Sequence, residues 1–121
     1  MNCRVITIGD KKYVECVSSE EKLKTEQDTL DLIAATIEND TGLLMLHGEA
    51  LSEDFFKLST GVAGAMLQKL VNYQVRTAAV ISDELSNKGR FREMALESNK
   101  SSHFRIFNTR EEAESWLVSI I

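Results

Sequence analysis

The chain has no proline and only two cysteines among its 121 residues. Without proline, its connections must be turned by glycine, asparagine, aspartate and serine. Two cysteines are too few for a disulfide scaffold or a four-ligand zinc site. Apolar runs are short as well, far below the roughly 18 residues of a membrane-spanning helix. The opening MNCRVITIGDKK lacks a basic start followed by an apolar stretch, so no secretory leader is expected. These absences predict a cytoplasmic protein with no membrane partner.

Positive charge is scarce too. Lysine and arginine number 14 against 19 acids, for a net charge of −5. Residues 1–41 carry nine acids and five bases, 42–82 three of each, and 83–121 seven and six. No segment forms a basic stripe, which argues against nucleic acid as the main partner. The short GRFREM run (Gly89–Met94) reads as a solvated helix face beside a buried Phe91.

A hydrophobic content of 43% is present, enough for one compact domain spanning residues 1–121. CRVITIG and KYVECV alternate and are rich in β-branched residues, which predicts an antiparallel hairpin. A two-residue turn at Gly9–Asp10 sets Ile6 opposite Tyr13, Arg4 opposite Glu15 and Cys3 opposite Cys16. A longer GDKK loop shifts that register by two and separates the cysteines. In a cytosolic chain the expectation is two reduced thiols, packed as small apolar residues.

After a polar crossing, Asp28 caps a helix whose stripe is Leu30, Ile33, Ala34 and Ile37, and Gly42 ends it in a left-handed turn. Leu43–Gly48 and Val75–Ser82 are the apolar runs of inner parallel strands. Between them Ser52 caps a short turn, and a helix runs from about Gly61 to Asn72. Ser86 or Asn87 opens a further helix that buries Phe91, Met94 and Ala95 and stops near Asn99. His103–Phe107 is the last strand. Thr109 and Glu112 then stand in capping-box positions before a helix whose inner face is Ala113, Trp116, Leu117 and Ile120. The fold class is therefore α/β: a single mixed, mostly parallel five-stranded sheet with an N-terminal antiparallel hairpin and helices on both faces. Strands following one another in chain order leave no reversal point, and so no usual nucleotide crevice.

The stretch LSTGVAGAMLQKLVNYQ concentrates small residues at a helix start, although glycine is costly there. Ser59 or Thr60 can cap it, and the amides of Gly61 and Val62 can meet an anion. No lysine follows in phosphate-loop spacing, and no GxGxxG is present. The preferred reading is steric: Gly61, Gly64 and Ala65 let another backbone come close. Only Gln68, Lys69 and Asn72 face water on this helix, so its outer side is either buried or an interface. Glu26, Asp28 and Asp31 are explained by the helix dipole, without metal. Asp83 follows an inner strand, where open α/β sheets place ligands. A Ser59, His47 and Asp83 grouping is the weakest reading of these residues.

KTEQDTLDLI, FFKLSTGVAGAMLQKLVNY and ESN (Glu97–Asn99) together resemble an uncharacterised bacterial family, domain of unknown function 4180. The resemblance spans about Lys24 to the C-terminus and brings no established activity, cofactor or metal. Its architecture is similar to the SpoIIAA-like, or STAS, domains. That likeness implies a regulatory module that binds proteins and is switched by phosphorylation at a helix start, here Ser59 or Thr60. The expected function is thus a non-enzymatic module, with a protein partner or a homodimer contact at Ser59, Thr60, Gly61, Gly64, Gln68, Asn72 and Tyr73. The alternative is a small enzyme or binding protein for a small anionic ligand, using the same helix start with His47 and Asp83.

Overall fold

The computed structural model describes residues 2–18, 22–86, 91–98 and 102–119. Strands β1 (Asn2–Ile8) and β2 (Lys11–Ser18) form an antiparallel hairpin around a two-residue turn. Gly9 there has φ +63°, a conformation glycine adopts without a steric penalty. The register is that of the two-residue turn: Ile6 opposite Tyr13, Arg4 opposite Glu15, Cys3 opposite Cys16. Strands β3 (Leu43–His47), β4 (Arg76–Val80) and β5 (Phe104–Phe107) add in parallel to β2. The sheet order is β1-β2-β3-β4-β5, with no reversal, as the sequence predicts.

Helix α5 (Arg110–Ser119) covers one face of the sheet. Its Ala113 and Leu117 pack with Tyr13, Leu43, Met45 and Ala78. Trp116 lies against Phe107 at a centroid distance of 5.7 Å. Helices α1 (Glu26–Glu38) and α2 (Val62–Asn72) cover the other face, where Leu32, Ile33, Ala63, Met66 and Leu70 meet Val14, Leu44, Leu46 and Ala79. After β4 come a single turn, α3 (Asp83–Ser86), and α4 (Phe91–Ser98). The buried side chains expected at Phe91, Met94 and Ala95, the ends near Asn87 and Asn99, and Ile120 lie outside the described residues.

Several local expectations are corrected. Thr25, not Asp28, is the N-cap of α1, accepting from the Asp28 N–H. Asp28 is the other half of a capping box, taking the Thr25 and Lys24 N–H groups at 2.9 Å each. The buried stripe of α1 is Thr29, Leu32, Ile33 and Thr36, while Ala34 is exposed and Ile37 is 66% exposed. The threonines tolerate burial because their hydroxyls return to the backbone, Thr29 to the Thr25 carbonyl and Thr36 to the Ile33 carbonyl. A side chain that satisfies its own hydroxyl competes for the inner face with the larger isoleucine. The left-handed residue ending α1 is Asp40 (φ +52°), not Gly42. The Asp40 and Thr41 N–H groups close the helix end on the carbonyls of Ile37 and Thr36. Gln74 (φ +58°) ends α2 in the same manner. Ser52 precedes a 3₁₀ turn without capping it, and its hydroxyl is buried with no partner among the described residues.

The reduced-thiol expectation is overturned as well. Cys3 and Cys16 form a disulfide, their Cα atoms 4.1 Å apart. The two-residue turn brings them directly opposite each other, and cross-strand neighbours at that spacing put their sulfurs in contact.

Candidate functional site

The segment leading into α2 is built from short 3₁₀ turns at Glu53–Phe56 and Leu58–Thr60. The Thr60 hydroxyl donates into this segment, lying 2.6 Å from the Asp54 carbonyl oxygen and 2.8 Å from that of Lys57. It also accepts from the Val62 N–H at 3.3 Å. The N-cap itself is Gly61, held at φ +76°. Gly61 is therefore required by its backbone conformation, since any other L-residue is strained there. Of Ser59 and Thr60, either of which could cap from sequence, it is Thr60 that contributes, from one residue further out.

Gly64 corrects the steric reading within this chain. Among the described residues a Cβ added at Gly64 or Gly61 meets nothing within 4 Å, so none of their backbone closes on these glycines. The helix buries Ala63, Met66 and Leu70. Gly64, Ala65, Gln68, Val71 and Asn72 are exposed, as is Tyr73 just after the helix. Gln68 donates to Asn72 at 2.9 Å. Lys69, the only charged side chain in α2, turns aside to Glu26 at 2.8 Å. The Lys69–Glu26 contact lowers the carboxyl of Glu26 and raises the amine of Lys69. What remains outward is a neutral strip of small and amide side chains along one helix.

On the opposite face the structure assembles a cluster the sequence does not announce. Glu15, in the second strand of the sheet, is only 1% exposed. Its carboxylate accepts from Arg110 Nε at 2.7 Å, His47 Nε2 at 2.8 Å and Arg4 Nε at 3.0 Å. Arg110 Nη2 also donates to the Tyr13 hydroxyl at 2.9 Å, and that hydroxyl donates to Glu114 Oε2 at 2.5 Å. Burial raises the Glu15 pKa, but hydrogen bonds from Arg110, His47 and Arg4 outweigh it and hold the group at about 2. Burial first, then the Glu114 hydrogen bond, push the Tyr13 phenol upward. A carboxylate so firmly ionised and surrounded by donors is a poor proton acceptor at neutral pH. The cluster clamps β1, β2, β3 and α5 together. Its sequence signals are the Arg4–Glu15 pairing in the hairpin register and a carboxylate inside an otherwise apolar strand. Arg110 could not be assigned, because it lies 95 residues from Glu15 along the chain.

His47 therefore projects onto the α5 face and is held by Glu15, whereas the Ser59 turn leads into α2 on the other face. Of the Ser59, His47 and Asp83 grouping, His47 is bonded to Glu15 instead. Asp83 stands exposed at the first position of α3, directly after β4. Among the described residues no cluster of three or more His, Cys, Asp or Glu could hold a metal ion, and no helix is long and apolar enough to cross a membrane.

A family model described as domain of unknown function (DUF4180) matches residues 8–117. The chain belongs to that family. No curated protein and no solved structure matches it.

Proposed function

We propose that this member of the domain-of-unknown-function 4180 family is a non-enzymatic protein-interaction module whose working surface is the outer side of α2. The observation that carries this reading is the neutral strip of Gly64, Ala65, Gln68, Val71 and Asn72. A water-facing helix normally spreads charge over its outer side, and an uncharged face suits contact with another protein. Gly61, at the head of the strip, and Tyr73, at its foot, extend the surface. Glycine at position 64 lowers the helix ridge, so a partner backbone can approach it closely.

A small anionic ligand at the start of α2 is the less favoured occupant. The Val62 N–H is already taken by Thr60, and His47 lies on the other face. Within the binding reading, the modifiable hydroxyl is Ser59, which is exposed, while that of Thr60 is committed to backbone carbonyls. The bacterial, cytoplasmic and STAS-like parts of the reading belong to this proposal; the chain-order sheet with helices on both faces supports only the STAS-like part, and the Cys3–Cys16 disulfide counts against the cytoplasmic one.

A photo-crosslinking side chain at Gln68 tests it in cells that make the protein, with Glu111 of α5 as the control position. The expected result is a discrete adduct from Gln68 alone, abolished by Gly64→Arg in the same chain. Equal labelling from both positions, or none, overturns the proposal. The mass of the adduct distinguishes a second copy from a different protein.

A further inference from the structure

We infer that β1 is a self-association edge: it pairs antiparallel with β1 of a second copy, joining two sheets into one. Among the described residues β1 ends the sheet, hydrogen-bonded to β2 on one side only. Natural proteins guard such edges with proline, charge or brevity. This one runs seven residues, NCRVITI, without lysine, acid or proline. Its single charge, Arg4, is already bonded to Glu15. Val5 and Ile8 are 40% and 41% exposed.

The hydrogen-bonding direction fits. Cys3 and Cys16 have Cα atoms 4.1 Å apart, the short spacing of a pair that does not exchange backbone bonds. Cys3 therefore turns its N–H and C=O away from β2, and by alternation Val5 and Thr7 do the same. A two-fold axis at Val5 sets Cys3 opposite Thr7 of the other copy, so these three outward residues pair with one another, giving about six backbone bonds. The same axis sets Arg4 opposite Ile6 and brings no like charges directly face to face. It also sets Ile8 of the other copy opposite Asn2, beside a hollow of about 330 Å³ lined by Asn2, Cys3, Arg4 and Val17. Such a contact is isologous and closes at two copies.

Light scattering over a concentration series, without reductant, tests the inference on wild type, Val5→Lys, Val5→Pro and Gly64→Arg. Val5→Pro removes an outward N–H and no bond to β2, and edge strands accept proline there. Val5→Lys leaves the backbone intact and adds the charge that guards natural edges. The wild type should show twice the 13.6 kDa chain mass. Both Val5 variants should fall to the single-chain mass with cooperative melting retained, while Gly64→Arg stays paired. A wild type at single-chain mass throughout overturns the inference, and so does pairing that survives both Val5 variants. Pairing lost only in Gly64→Arg overturns it too, and assigns self-contact to α2, leaving the α2 proposal standing.

Discussion

Replacing Glu15 by glutamine removes the charge at the centre of the clamp while keeping the shape of the side chain. The folded carboxyl sits at about 2 against an ordinary 4.5. At 1.36 kcal/mol per pKa unit, that difference is worth about 3 kcal/mol of stability at neutral pH. Because the folded pKa is the lower one, the contribution is complete above about pH 4.5 and disappears as the pH falls through about 2. Between pH 7 and pH 3 the wild type should lose about 2 kcal/mol through this group alone. Glu26 and Asp28 also have lowered carboxyls and add to the acid loss, but equally in both proteins. Urea unfolding of wild type and Glu15→Gln at both pH values isolates the Glu15 part. The variant should be less stable at pH 7 by about 3 kcal/mol, since Arg110, His47 and Arg4 lose the charge of a carboxylate that is itself only 1% exposed. Its own decline toward pH 3 should be shallower by about 2 kcal/mol. Equal acid sensitivity in the two proteins, or a variant as stable as wild type at pH 7, would refute the clamp.

Three further outcomes follow from the packing. Gly64→Ala should raise stability by roughly 0.5–1 kcal/mol, as the added methyl enters open space in a helix. Gly61→Ala should lower it by about 1–2 kcal/mol because of its left-handed backbone, and thermal melts of the pair read both signs. Thr77→Val should be neutral or stabilise by about 1 kcal/mol, as the Thr77 hydroxyl is fully buried with no partner among the described residues; a loss in urea unfolding would reveal a bond it makes. Leu32→Ala, at 0% exposure, should cost about 2–5 kcal/mol, while Ile37→Ala, on the same helix at 66%, should stay within about 0.5 kcal/mol. Denaturant midpoints that reverse this order would restore the stripe expected from periodicity.

The charge-poor character of α2 was legible in the sequence because it is a property of residue types, visible before any folding; that Gly64, Ala65 and Val71 also face water was not. Nor was the reason for its glycines. Gly61 is needed for a left-handed N-cap and Gly64 faces open space, two situations that share one letter in the sequence. The stripe of α1 was misplaced because more residues can be buried than one face accommodates. Thr29 and Thr36 took inner positions once their hydroxyls found backbone carbonyls.

Local patterns determined the hairpin with its GD turn, the existence of the parallel strands and the amphipathic closing helix. Each follows from alternation, helical spacing or turn chemistry within a few residues. Only the tertiary structure decided that Glu15 would be buried and find Arg4, His47 and Arg110 around it, and that Cys3 would be bonded to Cys16. The hairpin register permitted the cysteine pair and the Arg4–Glu15 pair without choosing them. His47 and Arg110 reach Glu15 only when β3 lies beside β2 and α5 folds back over that face. A buried charge is stable only among partners, and their arrival depends on how distant segments pack, which no short window of sequence contains.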